Sequence, residues 1–183
     1  MIIAIFFVVY PTFAKESKIH FKFCNEGIKF SIPFGRSYNY ADIKVKRVVD
    51  GDTLELENGQ RLRLIGIDAP EMHDSEKLLR DIQRSKKDIR TIKSMGKRSY
   101  EFLRRLVENK TVKLEFDVEK YDRYNRLLAY VFLKDDNTFV NAKLIEEGYA
   151  QPLTIPPNVK YADYFLTLYQ KARAEKKGLW REE

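Results

Sequence analysis

Residues 48–71 read VVDGDTLELENGQRLRLIGIDAPE, and this stretch decides the fold. Its apolar residues alternate with polar ones on both sides of Asn58-Gly59, which is typical of a β-hairpin. A hairpin that only buries a core does not need many acids beside arginines. The stretch nevertheless carries Asp50, Asp52, Asp68, Glu71, Arg61 and Arg63. It is therefore a candidate functional site as well as a structural element.

The length of the turn decides which residues of the hairpin lie opposite one another. A two-residue turn would mix leucines and arginines on one face. A three-residue loop with Gly59 in the left-handed conformation pairs Leu56 with Leu62 and Leu54 with Leu64. Because this register buries one consistent apolar face, it is our prediction.

The predicted register brings two aspartates together. Asp52 lies opposite Gly66 and Asp68 follows two residues later, so their backbones are expected about 7–8 Å apart. Gly66 has no side chain to fill the space between them, and two converging carboxylates predict a site for a hard cation. Strict alternation turns Arg63 away from Asp68. Either the strand bends near Gly66 or Arg63 has another role.

The composition favours a folded domain with an anionic partner. The chain has 183 residues, of which 44% are hydrophobic and 13% aromatic, which suits one compact domain plus an appendage. The formal net charge of +7 and a pI near 9.3 favour nucleic acid as the partner. A single cysteine, Cys24, excludes an intrachain disulfide and a thiolate zinc cluster. His20 and His73 are not spaced as a metal-binding pair.

The N-terminal residues differ in character from the rest of the chain. Residues 1–14, MIIAIFFVVYPTFA, carry no charge and are too short to span a bilayer comfortably. Thr12 and Ala14 are small residues at the spacing of a cleavage site, so the segment predicts a signal peptide and a secreted or periplasmic protein. The alternative is a membrane anchor. Residues 15–41 form a polar and aromatic lead-in with a possible edge strand at GIKFSIPF.

Strand and helix patterns follow one another from residue 42 to residue 183, the main domain. Strands are predicted at IKVKRVV, TLELE, RLRLIGI, TVKLEFD and LLAYVFL. Residues 72–94 predict an amphipathic helical insertion after Glu71, and a second helix starts at Met95. A short helix that Asn141 can cap and a C-terminal helix complete the chain. The prediction is an α+β fold, a small five-stranded oligonucleotide-binding (OB) barrel packed with about three helices.

Four motifs carry a resemblance to a known family. They are the opening stretch, then YDRYNRLLAYVF, VNAKLIEEGYA and KKGLW, in that order. In these motifs the sequence resembles the staphylococcal nuclease-like, or thermonuclease, family over residues 42–180, apart from the insertion. The resemblance implies an OB-fold, dependence on Ca²⁺, and hydrolysis of DNA and RNA phosphodiesters.

The resemblance also implies roles for the acidic residues. Asp52 and Asp68 match the calcium carboxylates of the family, and Ala69 stands where a backbone carbonyl reaches the ion. Glu71 matches the proposed general base. A carboxylate in that role is worth roughly 10²–10⁴-fold in rate.

The basic residues match phosphate-binding positions of the family. Arg63 and Arg126 match two phosphate-binding arginines, and the arginine fork suits phosphate because it bonds two oxygens and keeps its charge. Arg123 and Tyr124 match residues that flank the bound nucleotide. Asn125 replaces a glycine of the family and tolerates the same left-handed turn.

One segment departs from the family pattern. Well-studied secreted members carry two tyrosines before the Pro-Asn that corresponds to residues 157–158, whereas this chain reads PLTIPPN, with Leu153 and Ile155 or their neighbours instead. A second class of function therefore stays open, an OB-type module that binds nucleic acid or a protein without cutting. No obligate protein partner is indicated, and a monomer is expected.

Overall fold

The computed structural model describes residues 18–20, 31–33, 38–73, 78, 82–83 and 88–182. The chain divides into two compact units, Met1–Asn39 and Tyr40–Glu183. In the first unit, β1 (Lys18–His20) pairs antiparallel with β2 (Ser31–Pro33), which lies in the stretch predicted as a possible edge strand. The predicted signal peptide at residues 1–14 lies outside the described residues and stays a prediction.

The second unit contains a barrel of five strands, which are β3 (Ile43–Asp50), β4 (Thr53–Leu56), β5 (Arg61–Leu64), β7 (Thr111–Glu115) and β8 (Leu127–Leu133). The barrel is closed, and its strand order is β3-β4-β5-β8-β7. β5 and β8 run parallel, and the other neighbours run antiparallel. Two short strands, β6 (Gly66–Asp68) and β9 (Gln151–Leu153), pair separately. The predicted five-stranded OB architecture is confirmed.

The register of the hairpin differs from the prediction by two residues. Leu54 lies opposite Leu62, so both predicted pairs, Leu56 with Leu62 and Leu54 with Leu64, are wrong. Asp52 instead lies level with Leu64, whose amide donates to the Asp52 carbonyl at 3.0 Å. A shift of two residues keeps each side chain on its face, so the leucines stay fully buried. A three-residue loop with Gly59 at a φ of 83° is present as predicted, but it comprises residues 57–59, one residue earlier than the predicted residues 58–60.

Among the described residues, three α-helices with defined bounds pack on the barrel, as predicted, but the boundary of the first differs, and the described residues 78, 82 and 83 of the predicted insertion are also helical. They are α1 (Ile89–Val107), α2 (Val140–Glu146) and α3 (Ala162–Ala174), followed by a 3₁₀ helix at Gly178–Glu182. α1 starts inside the predicted insertion at residues 72–94 and runs on without a break at Met95. Asp88 caps it by accepting from the Thr91 amide at 3.0 Å. No helix in the described ranges is both long and apolar enough to cross a membrane.

Asn141 does not cap α2, because its side chain is buried and serves the barrel instead. Phe139 holds the N-cap position without a side-chain hydrogen bond. The Asn141 Oδ1 atom accepts from the Val131 amide at 3.0 Å, and its Nδ2 atom donates to the Ile65 carbonyl at 2.9 Å. Buried polar groups are stable only with such partners. The amide thereby joins α2 to β8 and to the point where β5 ends.

Candidate active site

A break between β5 and β6 turns Arg63 toward Asp68. β5 ends at Leu64, and Gly66 adopts a φ of 78° at the start of β6, which leaves the barrel to pair with β9. Glycine tolerates this left-handed conformation. The Nη2 atom of Arg63 consequently lies 3.4 Å from Oδ1 of Asp68. Of the two alternatives that the sequence allowed for Arg63, the structure has the bend near Gly66.

The same guanidinium group also contacts the second aspartate. Arg63 Nη2 lies 3.1 Å from Oδ2 of Asp52, and Arg63 Nη1 donates to the Leu64 carbonyl at 2.7 Å. Both carboxylates therefore converge on one nitrogen atom, although Asp52 does not lie opposite Gly66 as predicted. The side chain of Arg63 is only 14% exposed, so water screens these contacts weakly.

The aspartate pair is buried and held by the chain around it. Asp52 accepts from the Thr53 hydroxyl at 3.0 Å and from the Ala69 amide at 3.2 Å. Asp52 and Asp68 are 3% and 7% exposed. The part of the chain that is described has no group of three or more His, Cys, Asp or Glu side chains placed to hold a metal. The carboxylates thus supply two hard oxygen donors, and the role of the Ala69 carbonyl stays a prediction.

Glu71 lies three residues beyond Asp68 and is 6% exposed. Its Oε1 atom accepts two hydrogen bonds from the turn that follows, from the Met72 amide and the His73 amide, both at 2.9 Å. The main chain of the turn therefore sets the direction of the carboxylate. Glu71 is not among the residues that line the cleft described below, and its role as general base stays a prediction.

Asp122 organises the loop that carries Arg126. It accepts from the amides of Tyr124 and Arg126 at 2.9 Å each, and from Arg126 Nε at 2.7 Å. Asn125 adopts a φ of 60°, the left-handed turn expected there. Burial disfavours the charged form of Asp122, but the hydrogen bonds from Arg126 outweigh it and hold the pKa of this carboxyl below its usual value. The charged pair fixes the guanidinium group of Arg126.

Tyr124 and Arg123 form an exposed aromatic and cationic tip on this loop. The Tyr124 side chain is 65% exposed, and the Arg123 guanidinium lies 4.8 Å from its ring centre. Arg123 Nη2 also donates to the Tyr124 hydroxyl at 2.6 Å. The Arg126 guanidinium lies 5.5 Å from the same ring. Cationic groups on an aromatic face suit the binding of a phosphate and a base together.

A cleft of about 660 Å³ joins the two arginine sites. Arg63 and Arg126 both line it, because parallel pairing of β5 with β8 places Leu62 opposite Leu127 and so brings the two arginines to one end. Arg63 links the cleft to the aspartate pair. Other lining residues are Ile67, Tyr121, Arg123, Tyr124, Leu153 and Ile155.

Comparison with protein-family models covers the barrel from β5 onward and most of the site residues, but not Asp52. A family model described as "Staphylococcal nuclease homologue" matches residues 61–182, which is more than half of the chain. The chain belongs to the staphylococcal nuclease family. It is therefore a member of a nuclease family, with the five-stranded barrel of the OB-fold that the resemblance implied.

Individual relatives of the staphylococcal nuclease family agree with this assignment. The chain is 34% identical over 145 residues to a thermonuclease of Staphylococcus hyicus, covering 78% of this chain and 77% of the relative. It is 36% identical over 139 residues to a thermonuclease of Staphylococcus intermedius, covering 74% of each chain. An uncharacterized protein of Methanocaldococcus jannaschii is 36% identical over 149 residues, covering 75% of this chain and 70% of the relative.

The structure adds residues to the family site that sequence reasoning missed. Tyr121 lines the cleft and is 44% exposed, although only its place at the start of YDRYNR pointed to it. Asp122 holds Arg126, and its signal was the acid four residues before the arginine. Leu153 and Ile155, which the sequence had already singled out, also line the cleft.

Proposed function

We propose that this protein is a calcium-dependent phosphodiesterase that hydrolyses DNA or RNA by base-assisted attack of water on phosphate. One observation carries the proposal. Arg63 contacts both buried aspartates and lines the same cleft as Arg126. Membership of a nuclease family supports nucleic acid as the substrate.

The acidic pair fits a calcium ion by the chemistry of its donors. Calcium prefers six to eight oxygen ligands, and carboxylates with a backbone carbonyl are among its usual donors. Asp52 and Asp68 would hold the ion with the carbonyl of Ala69. When bound, the cation offsets negative charge on the phosphate. Asp52 and Asp68 are both buried beside Arg63, so their carboxylate oxygens lie close together at one place in the fold.

The remaining site residues bind the substrate and take a proton from the attacking water. Arg63 and Arg126 would each bond phosphate oxygens and hold them more strongly as negative charge builds on the five-coordinate phosphorus. Arg123 and Tyr124 would flank the nucleotide. Glu71 would take a proton from a water molecule as its oxygen bonds to phosphorus. The ester P–O bond then breaks, and the leaving oxygen takes up a proton.

Release of acid-soluble nucleotides, measured with Ca²⁺ and with a chelator, tests this function. We expect turnover by the wild type only with Ca²⁺. Glu71→Gln should lower kcat by about 10²–10⁴-fold and keep calcium-dependent nucleotide binding. Glu57→Gln, an exposed change on the hairpin loop, is the matched control and should keep full activity. A folded wild-type protein that cleaves nothing in Ca²⁺ contradicts the proposal.

A non-catalytic binding module is the second candidate. The aliphatic residues Leu153 and Ile155 in the cleft favour it, because they cannot stack on a base as the family tyrosines do. Binding that is unchanged in chelator and produces no cleavage would support this reading over the enzyme.

A further inference from the structure

We propose that Gly96 of α1, together with the amides of Met72 and His73, positions the carboxylate of Glu71 for catalysis. This inference rests on the proposed function, since it concerns how the general base is held. It assigns a role in the reaction to a helix that carries none of the acids or arginines of the site.

The main chain of Glu71 lies directly on Gly96. A Cβ atom added at Gly96 would be 2.7 Å from both the carbonyl carbon and the carbonyl oxygen of Glu71, and 2.8 Å from the amide nitrogen of Met72. Carbon side chains do not approach a backbone so closely. Gly96 lies within a 19-residue helix, where glycine costs about 1 kcal/mol relative to alanine. The close approach of the Glu71 backbone explains why a glycine is present here despite that cost.

The side chain of Glu71 follows its main chain. One oxygen, Oε1, accepts from both the Met72 and the His73 amides at 2.9 Å. A shift of the peptide between Glu71 and Met72 would therefore move the carboxylate and its donors together. Gly96 sets the place of this peptide, and the two amides set the direction of the carboxylate.

The same face of α1 also packs near the aspartate pair. Ser99, one turn after Gly96, is fully buried. A Cβ atom at Gly51, the neighbour of Asp52, would lie 3.1 Å from the Ser99 Cβ atom and 2.7 Å from the Ala69 Cβ atom. α1 thus contacts both segments that bear the acids. The helix is a common support that fixes the general base relative to Asp52.

Gly96→Ala in the full chain tests the backbone contact. The added methyl must displace the Glu71 peptide, and a displacement of this kind costs up to about 10²-fold in rate. We expect kcat to fall about 10–100-fold, whereas KM and the Kd for Ca²⁺ stay within about twofold, because the cleft arginines and the aspartates are unchanged. Unchanged kcat in a folded variant overturns the proposal.

Two variants on the same helix separate positioning from stability. Val107→Ala removes buried volume at the far end of α1 and lowers the free energy of unfolding. Ser94→Ala changes an exposed position two residues before Gly96. Both should keep the wild-type kcat at a temperature where the protein is folded. A loss of kcat in Val107→Ala that matches Gly96→Ala would show a general effect of stability and overturn the proposal.

A double-mutant cycle asks whether Gly96 acts through Glu71. In the Glu71→Gln background, Gly96→Ala should lower the residual kcat by less than about threefold, since residues that act as one unit are not additive. If Gly96→Ala lowers kcat as much in Glu71→Gln as it does in the wild type, Gly96 does not act through Glu71, and the proposal is overturned.

His73→Pro tests the amides and does not require Gly96→Ala to fold. Proline has no amide hydrogen, so one of the two hydrogen bonds to Glu71 is lost at an exposed residue. We expect the kcat of His73→Pro to be about tenfold lower than that of His73→Ala, which has the same loss of the imidazole but keeps the amide. Equal activity of the two variants overturns the proposal. A wild type without calcium-dependent turnover overturns the proposed function itself, so the two failures are distinguishable.

Discussion

Arg63 is the residue on which the candidate site depends. Its Nη2 atom is shared by Asp52 and Asp68 at 3.1 and 3.4 Å, and all three side chains are largely buried. Charges removed from water need partners, and the guanidinium group is a partner that both carboxylates share. Under the proposed function, the same two carboxylates would hold the calcium ion beside this arginine.

Removing this positive charge should strengthen calcium binding. In Arg63→Gln, the carboxylates lose a competing partner and the ion loses a nearby like charge, so we expect the Kd for Ca²⁺ to fall by about tenfold. Calorimetric titration of the nucleotide-free protein measures this constant. Arg47→Gln, which removes an exposed arginine paired with Glu55, is the control and should leave the Kd unchanged. Weaker calcium binding in Arg63→Gln would contradict the argument.

Asp122 should make the stability of the protein depend on pH at acidic values. Burial opposes its ionisation, but hydrogen bonds from Arg126 lower the pKa of Asp122 in the folded state. Its contribution is therefore present above the unfolded-state pKa of about 3.9 and is lost as pH falls through the folded-state pKa. The difference in free energy of unfolding between wild type and Asp122→Asn should be constant near neutrality and shrink below about pH 4. A difference that does not change down to pH 3 would contradict this.

The element that shapes the site is the break between β5 and β6. A continuous strand would send Arg63 and Asp68 to opposite faces, because side chains alternate along a strand. The left-handed conformation at Gly66 and the separate pairing of β6 with β9 remove that constraint. Phe165 of α3 packs against Gly66, where an added Cβ atom would collide with its ring. The bend thus depends on both a backbone conformation and a packing contact.

Two glycine substitutions separate these contributions. Gly59 has a similar φ of 83°, but nothing lies within 4 Å of an added Cβ atom, so Gly59→Ala costs only backbone strain. Gly66→Ala costs the same strain and also the collision with Phe165. We expect Gly66→Ala to lower the free energy of unfolding by about 2 kcal/mol more than Gly59→Ala, measured by denaturant titration. Equal losses would show that the ring moves aside freely.

The hairpin shows what alternation can predict and what it cannot. The pattern correctly places Leu54, Leu56, Leu62 and Leu64 on one buried face. It cannot choose between registers that differ by two residues, because both bury the same side chains. The contact of Asp52 with Asp68 through Arg63 was likewise undecided, since the bend depends on β9, which lies far along the chain.

Other differences arise where distant partners override local signals. Asn141 has a side chain suited to a helix cap, but its amide group is hydrogen-bonded to the Val131 amide and the Ile65 carbonyl instead. Gly96 carried no signal in the sequence, because its role depends on a peptide that the fold brings against α1. The types of residue in the site were predictable from the motifs. Their supports were not, because tertiary contacts determine them.

At the scale of the whole molecule, the positive charge has both a diffuse and a local part. The net charge of +7 attracts any polyanion, and this attraction does not depend on how the charged side chains are arranged. Many of the charges are already paired on the surface, such as Lys46 and Arg47 with Glu55. Arg63, Arg123 and Arg126 instead line one cleft. The two parts make different contributions to the salt dependence of binding.

Salt titration of binding should therefore separate the cleft from the rest of the surface. In the Glu71→Gln background at fixed Ca²⁺, the affinity for a short single-stranded oligonucleotide should fall linearly with salt on a log–log plot. Arg123→Ala should reduce the slope by about 0.7, the value for one phosphate contact to a single strand. Arg47→Gln removes the same charge from a position paired with Glu55 and should leave the slope unchanged. Equal reductions of the slope in Arg123→Ala and Arg47→Gln would mean that net charge governs binding. That result would contradict the prediction that the nucleic acid binds in the cleft.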